Sequence, residues 1–155
     1  MAYAAFCDIR TLIIPNWISA AAAALFVPAA MLAGLGFQDI AAHYGTGALL
    51  FIIGAVFFAF KILGGGDVKL LAASSVWIGW EDLAPFLIVI AVLGGLLALF
   101  VMAFRRIGWI PPFLLSLPWL SAQTGKGQPI PYGVAISLAA ILGVHRLSVL
   151  PGPLY

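Results

Sequence analysis

Three long runs without a charged residue constrain the fold of this chain more than any other feature. They cover residues 17–36, 40–60 and 83–104, and each has at least twenty residues. About 20 helical residues cross the apolar part of a bilayer, so each run is long enough to span a membrane. Composition agrees, because 65% of the residues are hydrophobic and 8% are charged, against about 25% charged in soluble domains. The sequence therefore predicts an all-α, polytopic membrane protein.

Two further apolar segments are predicted to be spans. Residues 67–80 form a short or tilted span sheltered by its neighbours, and residues 130–150 form another, with Pro131 near its start, where a missing N–H costs little. Between them, prolines and tryptophans at 107–128 predict an interfacial or re-entrant segment that ends in a polar loop. The expected fold is a helical bundle of about five spans in a single membrane-embedded domain, 1–155.

The beginning of the chain is apolar but too short to cross a bilayer before Asp8. Residues 1–7 have the composition of a helix end, so we expect them to be the remnant of a truncated first helix. Pro15 marks a turn, because it lacks an N–H and keeps the residue before it extended. Asn16 is expected to cap the helix that follows.

The basic residues fall on one side of the predicted topology. Five crossings place six of the seven Lys and Arg residues on the side of Asp8, namely Arg10, Lys61, Lys69, Arg105, Arg106 and Lys126, with Arg146 opposite. Lys and Arg accumulate in cytoplasmic loops, so this side is predicted to be cytoplasmic. The same topology puts Asp8 and Asp67 on the cytoplasmic side and the other three carboxylates, Asp39, Glu81 and Asp82, on the outer side.

The stretch GGGDVKL at 64–70 places a carboxylate after three glycines, between two apolar segments where a charge is costly. Glycines such as Gly64 and Gly66 permit an irregular turn and a close approach of another backbone. Asp67 then falls in the first turn of a helix, where an ordinary helix cap would explain it. Lys69 does not share the helical face of Asp67, and contacts with a lipid phosphate or with a substrate are both open for it.

Asp8 and Asp67 form the candidate catalytic pair. Two carboxylates within a few ångströms cannot both ionise easily, so one can donate a proton while the other takes one from water, as in aspartic proteases. Cys7 is followed by an acid, and neither histidine falls on the cytoplasmic side, so no nucleophile has a base beside it. No Cys and His set has metal-ligand spacing, and the net charge of +2 is too small to indicate nucleic-acid binding. We expect no metal and no cofactor.

Two other classes of function compete with a protease. In a small transporter or channel subunit, Asp8 and Asp67 would line a proton or cation path. In a structural assembly factor, glycines such as Gly94 and Gly95 would pack helices together. The transporter lacks a second glycine break with matching spacing, and the assembly factor leaves two acids on one side unexplained.

Three stretches resemble the signature motifs of the type IV prepilin peptidases, a family of intramembrane aspartic proteases. They are DIRTLIIPNW at 8–17, GGGDVKL at 64–70 with the GxGD pattern, and IPYGVAI at 130–136 with Pro131 and Tyr132. The small size is similar to the short branch that serves Flp-type pili.

The resemblance implies that Asp8 and Asp67 are catalytic. It also implies that the substrate is the leader peptide of a prepilin or pseudopilin, cut at the cytoplasmic face of the bacterial inner membrane. Longer family members carry a cysteine tetrad and methylate the new N-terminus, and with one cysteine this chain is not expected to do so. The family's first helix is expected to be missing, and the oligomeric state is not indicated.

Overall fold

The structure of the protein is a computed structural model that describes residues 1–107, 119 and 130–143. These residues form six helices and no strand. The helices are α1 (Ala2–Thr11), α2 (Asn16–Leu32), α3 (Phe37–Ala59), α4 (Gly65–Ile78), α5 (Leu83–Ile107) and α6 (Tyr132–Gly143). The all-α prediction is confirmed for the part of the chain that the structure describes.

Two of the described helices are long and apolar enough to cross a membrane. They are α3, with 23 residues, and the first 22 residues of α5. The span predicted at 17–36 is shorter, because α2 ends at Leu32 and Gly34 then turns the chain with a φ of 81°. The helices α4 and α6 have 14 and 12 residues. The prediction that the bundle has about five membrane spans therefore stays a prediction.

The short helix α4 is at the centre of the bundle. It packs on α2, α3 and α6, while α6 also packs on α1 and α5. Eight of the 14 residues of α4 are buried, which agrees with the expectation that its neighbours shelter it. By contrast, α3 and α5 turn large apolar side chains such as Ile52 and Leu99 outward. Apolar side chains on the outer faces of these two helices suit contact with lipid.

An aromatic cluster joins α2, α3 and α4. The ring of Phe26 packs against His43, Tyr44 and Trp77. The Trp77 indole and the Tyr44 hydroxyl donate hydrogen bonds to carbonyl oxygens of α2 over 2.8 and 2.7 Å. His43 Nδ1 lies 2.8 Å from a carbonyl oxygen of α4. His43 is thus a packing residue between helices.

The turn between α1 and α2 differs in detail from the prediction. Pro15, and not Asn16, occupies the cap position of α2, and no side chain caps the helix. The prediction that Asn16 is the cap is wrong, because its side chain is hydrogen-bonded to Lys69. Residues 2–7 belong to the same helix as Asp8, and Met1 is its cap residue.

The segment predicted at 107–128 lies outside the described residues except for its first residue and Trp119. Trp119 is buried, and its indole donates a hydrogen bond to the Ile9 carbonyl oxygen over 3.0 Å. It is therefore packed against α1, and the interfacial or re-entrant segment stays a prediction. Lys126, His145 and Arg146 also lie outside the described residues.

Candidate functional site

Asp67 lies in the first turn of α4, as predicted. Gly64 is the cap residue of this helix, which has no side-chain cap hydrogen bond, and the Asp67 carboxylate lies close to Gly64. A carboxylate at this position satisfies a free N–H and interacts favourably with the helix dipole. The side chain is nevertheless only 8% exposed, which is unusual for an acid that serves only as a cap at a protein surface.

Asp8 lies in α1 and is 4% exposed. Its carboxylate interacts with the backbone N–H groups of Gly133 and Val134 in the first turn of α6. Asp8 Oδ2 is buried and has no hydrogen-bond partner in the described part of the chain. Burial of an acceptor without a hydrogen bond costs free energy, unless a ligand or water donates a hydrogen bond to it or the atom binds a proton.

The two carboxylates meet at the start of α6. The Gly133 backbone N–H interacts with Asp67 as well as with Asp8, and the two aspartates repel each other electrostatically. A Cβ on Gly133 would lie 2.8 Å from Asp8 Oδ2, so a side chain there would displace the acid. The structure therefore brings together the two acids that the sequence could place only on the same side.

Sequence reasoning did not find Gly133, although it named Pro131 and Tyr132 directly before it. The available signal was a glycine at the start of an apolar helix, immediately after that pair. Every residue except proline has a backbone N–H, so nothing in the sequence marks this one as a group that lies near both acids. Pro131 is fully buried next to it, and Tyr132 is half-buried beside a cavity.

Ile14 fills the space between the two helices that start at the site. Its Cβ lies 3.1 Å from where a Cβ on Gly66 would be, and its Cδ1 lies 2.6 Å from the corresponding position on Gly133. Both glycines are therefore needed for close packing around one buried apolar side chain. This packing fixes the start of α4, and hence Asp67, relative to the start of α6.

Two cavities open on the aspartate pair, and both are lined by Asp8 and Asp67. The larger cavity, of about 750 Å³, has mostly apolar walls formed by Leu12, Phe58, Ile62, Leu63, Ile130 and Tyr132, with Lys61 among them. The smaller cavity, of about 350 Å³, is bounded by residues 12–14, the three glycines of 64–66, Asn16 and Lys69. The carboxylates thus lie between two spaces that can hold parts of one elongated ligand.

Lys69 and Asn16 are connected at the edge of the smaller cavity. Lys69 Nζ donates a hydrogen bond to Asn16 Oδ1 over 2.8 Å. The sequence left a lipid phosphate and a substrate as partners for Lys69, and the structure adds a third partner within the chain.

The remaining acids that the structure describes lie away from this site. Asp39 accepts a hydrogen bond from the Gly36 N–H at the start of α3. Asp39 and Glu81 line a separate cavity with His43, near the end of α4 opposite to Asp67. Among the described residues no three His, Cys, Asp or Glu side chains are grouped so as to hold a metal ion.

The family model of the type IV leader peptidase family matches residues 1–99 of this chain. The prepilin leader peptidase/N-methyltransferase of Dickeya chrysanthemi is 38% identical over 79 residues, which are 46% of this chain and 27% of that protein. The protein of the same name from Aeromonas hydrophila is 31% identical over 101 residues, or 61% of this chain and 29% of that protein. The chain thus spans less than a third of the length of these curated relatives. No solved structure gives a significant match.

The matched region contains both aspartates, the Pro15 turn and the glycine stretch, whereas α6 lies beyond it. It covers more than half of the chain, and the resemblance noted in the sequence is confirmed. This protein belongs to the type IV leader peptidase family.

Proposed function

We propose that this protein is an aspartic endopeptidase that uses Asp8 and Asp67 to cut the leader peptide of a prepilin or pseudopilin. The observation that carries the proposal is the convergence of two buried carboxylates from α1 and α4 on a common pair of cavities. Two acids that repel each other in a buried site favour a state with one proton between them. Such a pair supplies both an acid and a base.

In the proposed reaction a water molecule lies between the two carboxyl groups. The ionised carboxylate takes a proton from this water, whose oxygen attacks the carbonyl carbon of the scissile peptide bond. The protonated carboxyl donates its proton to the carbonyl oxygen, which gives a neutral tetrahedral intermediate. Collapse of the intermediate breaks the C–N bond, and the amine leaves with a proton from the pair. The Gly133 N–H helps to hold the two carboxylates in place.

The family and the cavities support the proposed substrate class. The two curated relatives are named prepilin leader peptidases, and a leader peptide is an extended chain that can occupy both sides of the aspartate pair. The cavities, of about 750 and 350 Å³, fall within or near the usual range of roughly 300–1,000 Å³ for ligand sites. Mostly apolar walls in the larger one suit apolar side chains beside the cleaved bond.

We place the protein in the bacterial inner membrane with the site toward the cytoplasm. Apolar outer faces on α3 and α5 support the membrane location. Arg10 lies in the last turn of α1, and Lys61, just beyond the end of α3, and Lys69, near the start of α4, line the cavities of the aspartate pair. Positive charge at that end supports a cytoplasmic orientation.

Purified protein in lipid vesicles, incubated with a synthetic prepilin leader peptide, tests the proposal. We expect cleavage at a single bond, identified by the masses of the two products, and no cleavage by the Asp8→Asn/Asp67→Asn double variant. Equal cleavage by the unchanged protein and the double variant would contradict the proposed aspartic mechanism. A proton flux that the double variant loses, without any cleavage by either protein, would favour a transporter instead.

A further inference from the structure

The segment 12–16 joins α1, which carries Asp8, to α2 and passes beside the start of α4. The chain leaves α1 at Leu12 in a left-handed conformation, with a φ of 55°. Ile13 is 69% exposed, whereas Ile14 is 6% exposed. The half-buried Leu12 packs beside Val101 and Trp119, and Ile14 is the apolar residue of this irregular segment that is fully buried.

A second contact fixes the far end of this segment. Lys69, in α4, donates its hydrogen bond to Asn16, the first residue of α2. Between the two contacts stands Pro15, with a φ of −59° that its ring keeps near this value. Pro15 therefore removes one rotation between Ile14 and Asn16, and the contacts of these two residues together restrict the orientation of the segment.

We propose that Lys69 is a positioning residue for the aspartate pair and acts through Asn16. The inference rests on the proposed peptidase function. The backbone connects Asp8 to Asn16, Asn16 is hydrogen-bonded to Lys69, and α4 connects Lys69 to Asp67. The hydrogen bond thus closes a loop that contains both carboxylates. A misplacement of about 1 Å at reacting groups can cost on the order of 100-fold in rate.

The geometry distinguishes this positioning role from two other roles of Lys69, namely a direct charge pair with Asp67 and a contribution to stability. Lys69 and Asp67 are two residues apart in a helix, so their side chains leave it in different directions and are not a direct charge pair. Lys69 is exposed, and an exposed contact of this kind adds little to the free energy of unfolding. Loss of the hydrogen bond should therefore lower kcat more than it raises KM or lowers the unfolding temperature.

Four single variants and one double variant test the pair itself in the vesicle assay. Lys69→Met removes the donor, and Asn16→Leu removes the acceptor. Each should lower kcat by roughly ten- to a hundredfold while KM stays within about twofold, and the double variant should be no worse than either, because both changes break one interaction. Lys69→Arg and Asn16→Asp keep a donor and an acceptor and should stay within about threefold of the unchanged protein.

Tyr44→Phe is the matched control. It removes another hydrogen bond between helices, from the Tyr44 hydroxyl to the Ala23 carbonyl oxygen over 2.7 Å, but away from the aspartates. Cleavage by this variant should be normal. An equal loss of kcat in Tyr44→Phe would overturn the inference, since the effect would then be general loosening of the bundle.

Cys7 gives a readout that does not depend on cleavage. It is the single cysteine of the chain, it is half-buried and it precedes Asp8. We expect a membrane-permeant maleimide to modify it about threefold or more faster in Lys69→Met and Asn16→Leu, because a loosened segment lets α1 open more often. The rate should be unchanged in Lys69→Arg and Tyr44→Phe.

The possible failures are distinguishable. If the unchanged protein does not cleave the leader peptide, the proposed function fails. If it cleaves, and Lys69→Met matches it in kcat, KM and labelling rate, the positioning role fails alone. A loss in Lys69→Met with normal kcat in Asn16→Leu would overturn the role through Asn16, because the Lys69 charge would then act directly on the substrate.

Discussion

The Cβ of Ile14 lies 3.1 Å from the position that a Cβ on Gly66 would occupy. The residue before Asp67 therefore has no room for a side chain unless Ile14 moves. The sequence predicted that Gly66 has either a special backbone conformation or a close contact. The structure shows a close contact, because the described glycines with positive φ are Gly34 and Gly79.

Gly66→Val should abolish cleavage while the protein still inserts into the membrane. The branched side chain would collide with Ile14 and shift the first turn of α4, which carries Asp67. Prepilin processing, followed as a mobility shift on a gel, measures cleavage, and membrane fractionation measures insertion.

Gly95→Val is the matched control for Gly66→Val. Gly95 also lies in a helix, but nothing is within 4 Å of the position of its Cβ. The two changes have a similar effect on the free energy of helix formation, so the Gly95→Val variant should cleave prepilin at a nearly normal rate. Full activity in Gly66→Val would show that GGGD is an ordinary helix cap.

A second glycine contact gives a prediction about stability. A Cβ on Gly54 in α3 would lie 2.9 and 3.3 Å from the two Cγ atoms of Val68 in α4. Gly54→Ala should therefore lower the free energy of unfolding by about 1–3 kcal/mol, the usual cost of overpacking. Thermal unfolding in detergent measures the change.

The Val68→Ala background tests whether the Gly54 contact is the cause. Without the two Cγ atoms, Gly54→Ala should cost little or nothing, so the two changes should not be additive. Gly45→Ala, in the same helix with nothing within 4 Å, should not destabilise. Equal destabilisation by Gly45→Ala and Gly54→Ala would mean that helix packing is not responsible.

The sequence predicted the parts of this site that local patterns encode. The position of Asp67 in a first helical turn follows from the glycines before it, and the α4 boundaries differ from the prediction by two residues. The positions of Asp8 and Asp67 at the same end of the bundle follow from the number of apolar runs. These features depend on residues that are close together in the chain.

The rest of the site depends on contacts between distant residues. Asn16 and Lys69 are 53 positions apart, and their side chains meet only because α2 and α4 pack together. The backbone N–H of Gly133 lies near both acids, and a backbone group leaves no trace in residue type. The sequence could therefore name the acids but not the groups that hold them in place.

The membrane topology gives a prediction that uses the whole chain. A reporter fused after Gly125 should behave as cytoplasmic, and one fused after Glu81 as external, because the predicted topology places six of the seven basic residues on the side of Asp8. Alkaline phosphatase and fluorescent protein fusions at both sites measure this. The reverse result at either site would remove the charge argument for a cytoplasmic active site.

The role of the aspartate pair gives the last prediction. If Asp8 and Asp67 share a proton and activate one water, each acts in a different protonation state, and a neutral amide can replace neither. Asp8→Asn and Asp67→Asn should each reduce prepilin cleavage by at least about 100-fold. The double variant should be little worse than either, because residues that act as a unit are not additive.

Asp39→Asn and Asp82→Asn are the controls for these variants. Asp39 caps α3 through Gly36, and neither residue lines the two cavities of the aspartate pair, so both variants should keep nearly normal cleavage. Gel mobility of a co-expressed prepilin measures all five proteins under the same conditions. Retained cleavage in Asp8→Asn or Asp67→Asn would rule out the aspartic mechanism, since the water would then be activated without one member of the pair.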